Sequence, residues 1–159
     1  MLGLLAQSWI ARRVPDMAKS VANKHWDTFD RIFKYDFYRS LLMYLVGALT
    51  LCLFAFLLND ETVYGERILP ILPFVGLLIV VFVNHIIGAL ASHLRSYKRE
   101  PLVFISLIST LVTIPVALYG ASEFSAIGVV ASILLIQLVF TLPMTIYYWR
   151  KFNREWRVS

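Results

Sequence analysis

Charge is scarce in this 159-residue sequence. Asp, Glu, Lys and Arg together supply 16% of it, against about 25% in soluble domains. Hydrophobic residues reach 59%, above the usual range of about 45–50%, and mean hydropathy is +0.71. An ordinary soluble core is excluded, and the composition reads as that of a membrane protein. Cysteine occurs once, as Cys52 within an apolar run, so no intrachain disulfide can form and no redox compartment can be read. Carboxylates are missing from every long apolar run, which counts against a proton-coupled carrier and against a small multidrug exporter working as a dimer. Catalytic signatures are missing too: there is no HExxH, GxGxxG, P-loop or nucleophile elbow. His25, His85 and His93 have no carboxylate or cysteine at metal-ligand spacing. The expectation is a chain with no enzymatic activity, no cofactor and no metal. The opening "MLGLLAQSWI" has neither a basic n-region nor a small-residue cleavage site, so the first full span is expected to serve as an uncleaved insertion signal.

What is present is a set of four apolar runs, 40–58, 68–91, 101–119 and 124–149. Each is close to the roughly 20 residues that cross a hydrocarbon core about 30 Å thick. His85 is the one ionisable side chain among them apart from tyrosines and Cys52. Lipid offers no partner for a backbone amide, and four strands cannot close a barrel, so all four are expected to be helices. Lys and Arg number seven in residues 1–39, three in 92–100 and four from Arg150 onward. The intervening loops hold only Arg67. The bias of cations toward the cytoplasm places both termini and the 92–100 loop inside, as four spans require. Residues 1–38 read as an amphipathic segment: Ala22, Trp26, Phe29, Phe33 and Phe37 recur at helical spacing, facing either the membrane interface or neighbouring helices. Pro15 suits the first turn of such a helix, and the ten residues before Arg12 look like the end of a span. The expected fold is all-α: a polytopic four-helix transmembrane bundle over 39–150, preceded by the amphipathic segment and followed by a basic tail at 151–159. The short "GASE" loop predicts a tight antiparallel pair for the last two spans.

Several polar groups lie inside the apolar runs. Asn84 and His85 are adjacent in the second, Gln137 is central in the fourth, and Ser106, Thr110 and Thr113 share one face of the third. Hydrogen bonding between helices, or back to a carbonyl, explains such groups at about 0.6 kcal/mol each. An ionisable or amide group in lipid otherwise faces a cavity, which makes Asn84, His85 and Gln137 candidate substrate-binding residues. Pro70 and Pro73 fall in the first turns of the second run, whereas Pro115 and Pro143 lie deeper and are expected to kink their helices. Such kinks are either tolerated irregularity or bends around a transport cavity.

Net charge is +5 and the isoelectric point about 9.5, but the cations flank the apolar runs, so no nucleic-acid partner is expected. Arg95, Lys98 and Arg99 sit between two runs, where anchoring to anionic membrane lipids is the simplest role. The same three would also grip the phosphates of a lipid-linked substrate, Arg in bidentate fashion and Lys as a point charge.

The stretch "LRSYKREPLVFISLIST", with Leu94, Arg95, Lys98, Glu100 and Pro101, resembles the loop-and-span signature in the C-terminal half of bacterial polysaccharide and O-antigen flippases, within the multidrug/oligosaccharidyl-lipid/polysaccharide exporter superfamily. "WIARRVPDMAKSVANKHWDTFDRIF", "EFSAIGVVASILL" and the basic, aromatic "YYWRKFNREW" are similar to stretches of the same family, in the same order. The resemblance implies a carrier of two pseudo-symmetric helical bundles. It would move undecaprenyl-pyrophosphate-linked sugar units across the bacterial inner membrane by alternating access, for polysaccharide or lipopolysaccharide synthesis. The family has more spans than these four. The chain is therefore expected to be its C-terminal part, needing an N-terminal half chain or self-association to complete a cavity. A non-transporting membrane subunit or degenerate remnant is the alternative.

Overall fold

The computed structural model describes residues 2–59, 70–98 and 100–158. These residues are helical almost throughout, with no strand among them, as expected for an all-α chain. Helix α1 (Leu2–Ala22) and helix α2 (Trp26–Asn59) form an antiparallel hairpin. Its turn is closed where Lys24 enters the left-handed region at φ 56° and the His25 amide donates to Ser20 O at 2.9 Å. The aromatic periodicity therefore spans a break: Ala22 ends α1, while Phe29 and Phe33 are buried on α2. Pro15 is interior to α1 rather than in its first turn. No proline interrupts residues 26–59, so the amphipathic stretch and the first apolar run are two ends of one helix, continuous across position 39.

Helix α3 (Ile71–Arg95) starts behind Pro70, whose ψ of 144° is extended, and it ends in a turn where Lys98 adopts φ 57°. Helix α4 (Val103–Ile136) folds back on itself. Phe124 and Ser125 leave helical geometry, and Ser125 adopts φ 52° and ψ −138°. Contacts pair symmetrically about that break. Ser132 Oγ donates to Val116 O at 3.2 Å, and Ser109 and Thr141 share a hydrogen bond of 2.5 Å. Gly120 and Gly128 touch backbone to backbone, so a Cβ on Gly120 would fall 2.6 Å from Gly128 O. The expected antiparallel pair is thus present, but "GASE" itself stays helical and the chain reverses just after it, at Phe124 and Ser125, while small residues allow the close approach.

A π-helical turn, Gln137–Thr141, joins α4 to α5 (Leu142–Val158). Pro143 follows immediately; its ring would collide with the carbonyl four residues back, and the widened turn relieves that clash. Pro143 therefore produces a π turn in place of a simple kink, and α4 keeps helical dihedrals through Pro115.

Three stretches, 26–57, 71–95 and the folded-back 103–157, are long and apolar enough to cross a membrane. The buried apolar cluster of Ile10, Met17, Phe29, Phe33 and Ala89 lies among α1, α2 and α3, toward the end bearing Arg95 and Lys98, called here the charged end. On the outer faces, Leu49, Phe104 and Val139 are 70%, 74% and 71% exposed. Large apolar side chains on that scale are matched by acyl chains, not water.

Candidate functional site: a polar groove beside α3

The groove lies between α3 and the folded-back pair. Its deeper part, about 270 Å³, is lined by Asn84 and Ile87 of α3, by Ser106, Ser109, Thr110 and Thr113 of α4, and by Gln137 and Thr141 of the π turn. A cleft of about 120 Å³ continues it to the charged end and shares Ile87, Ser106 and Thr141 with it. Arg95, Glu100 and Thr145 line this mouth. Asn84 precedes Arg95 by eleven residues, which at 1.5 Å per residue sets it about 16 Å deeper, near the middle of a bilayer core.

Each wall is built from local rules. The hydroxyls of Ser106, Thr110 and Thr113 donate back along α4 to Val103, Ser106 and Ser109 carbonyls at 2.9, 2.8 and 2.7 Å. Their shared face is real, and their own protons are spent locally, which leaves oxygen lone pairs toward the groove. Asn84, Ser106 and Thr110 are exposed, so the groove opens sideways. Gln137 is buried at 8% exposure and its Oε1 has no hydrogen-bond partner. A buried acceptor left open costs about 1–3 kcal/mol, so this amide is held ready for a donor.

The candidates divide into those the fold gathers and those it does not. Asn84 and Gln137 share the groove, with Arg95 at its mouth. The Arg95 guanidinium pairs with Glu100 at 3.1 Å, both more than half exposed, a surface pair of small stabilising value. Lys98 is exposed on its left-handed turn, and Arg99 lies outside the described residues. His85 turns the other way, toward α2. Ser40 Oγ donates to Phe37 O at 2.8 Å, so its oxygen accepts from His85 Nε2–H at 3.0 Å. The ring stacks on Tyr44, and Nδ1 has no partner. His85 therefore links α2 to α3.

Sequence reasoning missed Ser109, Thr141 and Thr145, because a hydroxyl in a membrane helix shows its face only once its neighbours are placed. It also missed the latch at the charged end. There the Trp149 indole donates to His93 Nδ1 at 3.1 Å, and the Tyr97 hydroxyl donates to Asn153 Oδ1 at 3.0 Å. Burial pushes the Tyr97 phenol above its ordinary pKa while Arg157 pulls it down, so it remains a donor. Arg157 in turn pairs with Asp30, which ties α5 to α2. On α1, Arg13 rises above its ordinary value through its hydrogen bond to Asp16 and the nearby charge of Asp36.

Groups of three or more metal-ligating side chains are absent among the described residues. The chemistry the groove offers is hydrogen bonding to a row of neutral hydroxyls and amides set in a largely apolar lining, with the Arg95–Glu100 pair at one end. No protein-family model, curated protein or solved structure matches this chain.

Proposed function

We propose that the chain is a component of a transporter that carries lipid-linked oligosaccharide across the bacterial inner membrane, with both termini and the 92–100 turn on the cytoplasmic side. One observation carries the reading: a groove open on its flank, in which the side chains of Arg95, Asn84, Ser106, Thr110, Thr113 and Gln137 interrupt an otherwise largely apolar lining from the charged end to mid-membrane depth. Exposed amides and hydroxyls at mid-membrane depth are costly against lipid, so they belong against a hydrated passage or a second bundle. The division of chemistry suits a substrate with two parts. Neutral acceptors and amides match sugar hydroxyls, whereas Arg95 and Lys98 match phosphate. The exposed apolar flank beside the groove suits a polyprenyl tail that stays in the bilayer. A partner bundle or a second copy would supply the facing wall. The order of motifs resembling polysaccharide flippases supports the same reading.

The test is sugar export in cells. Gln137→Leu and Asn84→Leu should each lower export about ten-fold, the effect of one lost buried hydrogen bond, while the protein still inserts at normal abundance. Undiminished export by the double variant would remove the groove from the transport path and leave a non-transporting membrane subunit.

A further inference from the structure

Five arginines at the charged end have defined partners, of two kinds. Arg13, Arg95 and Arg157 each face a carboxylate, and Arg13 engages both Asp16 and Asp36. Arg12 and Arg39 face none within ion-pair distance among the described residues. They converge instead on one indole: the Arg12 guanidinium lies 5.2 Å from the Trp9 ring centre and that of Arg39 5.6 Å from it. Arg39 also lies 4.8 Å from the Tyr35 ring. Trp9 and Arg12 are one turn apart on α1, and Tyr35 and Arg39 one turn apart on α2, so the hairpin itself brings the charges together. Like charges so gathered repel one another. Aromatic faces fix the guanidinium planes and leave their N–H edges free for a shared anion.

The surroundings identify the kind of anion. Arg39 is the last charged residue before the apolar run, and Leu42 and Val46 continue its face at 64% and 57% exposure. On α1, Leu5 lies one turn from Trp9 on the same side and is 60% exposed. Leu2 packs against Gly47, so the two apolar tracks descend side by side. A soluble anion would use the arginines alone. An anion joined to acyl chains uses the tracks as well.

We propose that Arg12 and Arg39, held on Trp9 and Tyr35, form a site for the phosphate headgroup of an anionic phospholipid whose chains lie along Leu5, Leu42 and Val46. This site is on the opposite helical hairpin from the groove and stands independently of the transport reading.

Native mass spectrometry of the full chain, released from detergent with titrated lipid, tests it. One phosphatidylglycerol is retained in preference to phosphatidylcholine. Arg12→Gln or Arg39→Gln each weakens retention about five-fold and the pair about 25-fold, from the usual attraction per cation near an anionic surface. Trp9→Leu weakens it with the charges intact, and Arg39→Lys restores only part of what Arg39→Gln loses. Lys151→Gln with Arg154→Gln, at exposed cations on α5, leaves retention unchanged. Helical circular dichroism confirms that each variant is folded. Three results would overturn the proposal: equal retention of phosphatidylcholine, an equal loss in the α5 double variant, or displacement of the lipid by inorganic phosphate at matching concentration.

Discussion

The imidazole of His93 lies 4.5 Å, centre to centre, from both Phe29 and Phe33, and its Nδ1 accepts the Trp149 indole proton. Three helices meet at that ring, and one hydrogen bond satisfies a nitrogen that water cannot reach. Trp149→Phe keeps the aromatic packing and removes the donor. It should lower stability by about 1–3 kcal/mol, the cost of an orphaned buried acceptor, measured by denaturing-detergent titration. An unchanged midpoint would show that the ring contacts alone hold α5 in place. Residues of this kind were only partly legible beforehand. Asn84 and Gln137 stand out because amides are rare in apolar runs, and the structure brings both to one groove. His85 stood out for the same reason, yet its neighbour Asn84 faces the groove while His85 faces Ser40, since adjacent positions on a helix diverge by about 100°. Asn84 also borders, with His85 and Gln7, a second cleft on the α1 side of α3, so which cleft each polar residue serves depends on helix rotation, and rotation is set by packing.

Among the elements, the tight pairing of the last two apolar runs was legible from how little chain separates them, although the reversal falls at Phe124 and Ser125 rather than in "GASE". The backbone at its tip was not. Ser125 holds a conformation ordinarily left to glycine, although no glycine occupies that position. Ser125→Gly should therefore stabilise the pair by about 1 kcal/mol, while Gly128→Ala should destabilise it by about 1–3 kcal/mol because the Gly120 backbone occupies the space of the new methyl. Opposite shifts in the same denaturing-detergent titration would establish that backbone contact, rather than side-chain packing, closes this hairpin. Equal shifts would contradict it. The break between α1 and α2 was hidden by a helical periodicity that runs across it. Periodicity reports which residues share a direction, and two antiparallel helices can present their apolar faces to the same core. The π turn was closer to legible, since Pro143 demanded some irregularity and only its form needed the coordinates.

Taken whole, the molecule has one well-packed end and one sparsely packed flank. Aromatic rings, ion pairs and hydrogen bonds concentrate where α1, α2, α3 and α5 meet at the charged end. The folded-back pair touches α3 along the groove and exposes large apolar side chains on its outer faces. Exposed amide and hydroxyl groups along this contact suit an element that receives a second bundle. The apolar runs were readable from the sequence at this scale, although the four expected spans appear as three stretches long and apolar enough to cross a membrane, the last of them folded back on itself. The groove was not, because it depends on which faces of three segments converge. The central claim is that this groove holds the substrate. A photoactivatable benzophenone side chain placed at Thr110, within the groove, and at Leu53, exposed on α2 away from both the groove and the Arg12–Arg39 site, tests it most directly in membranes charged with radiolabelled lipid-linked oligosaccharide. The account predicts labelling at position 110, competed by unlabelled substrate, with background labelling at 53; equal labelling at both positions, or none at 110, would contradict it.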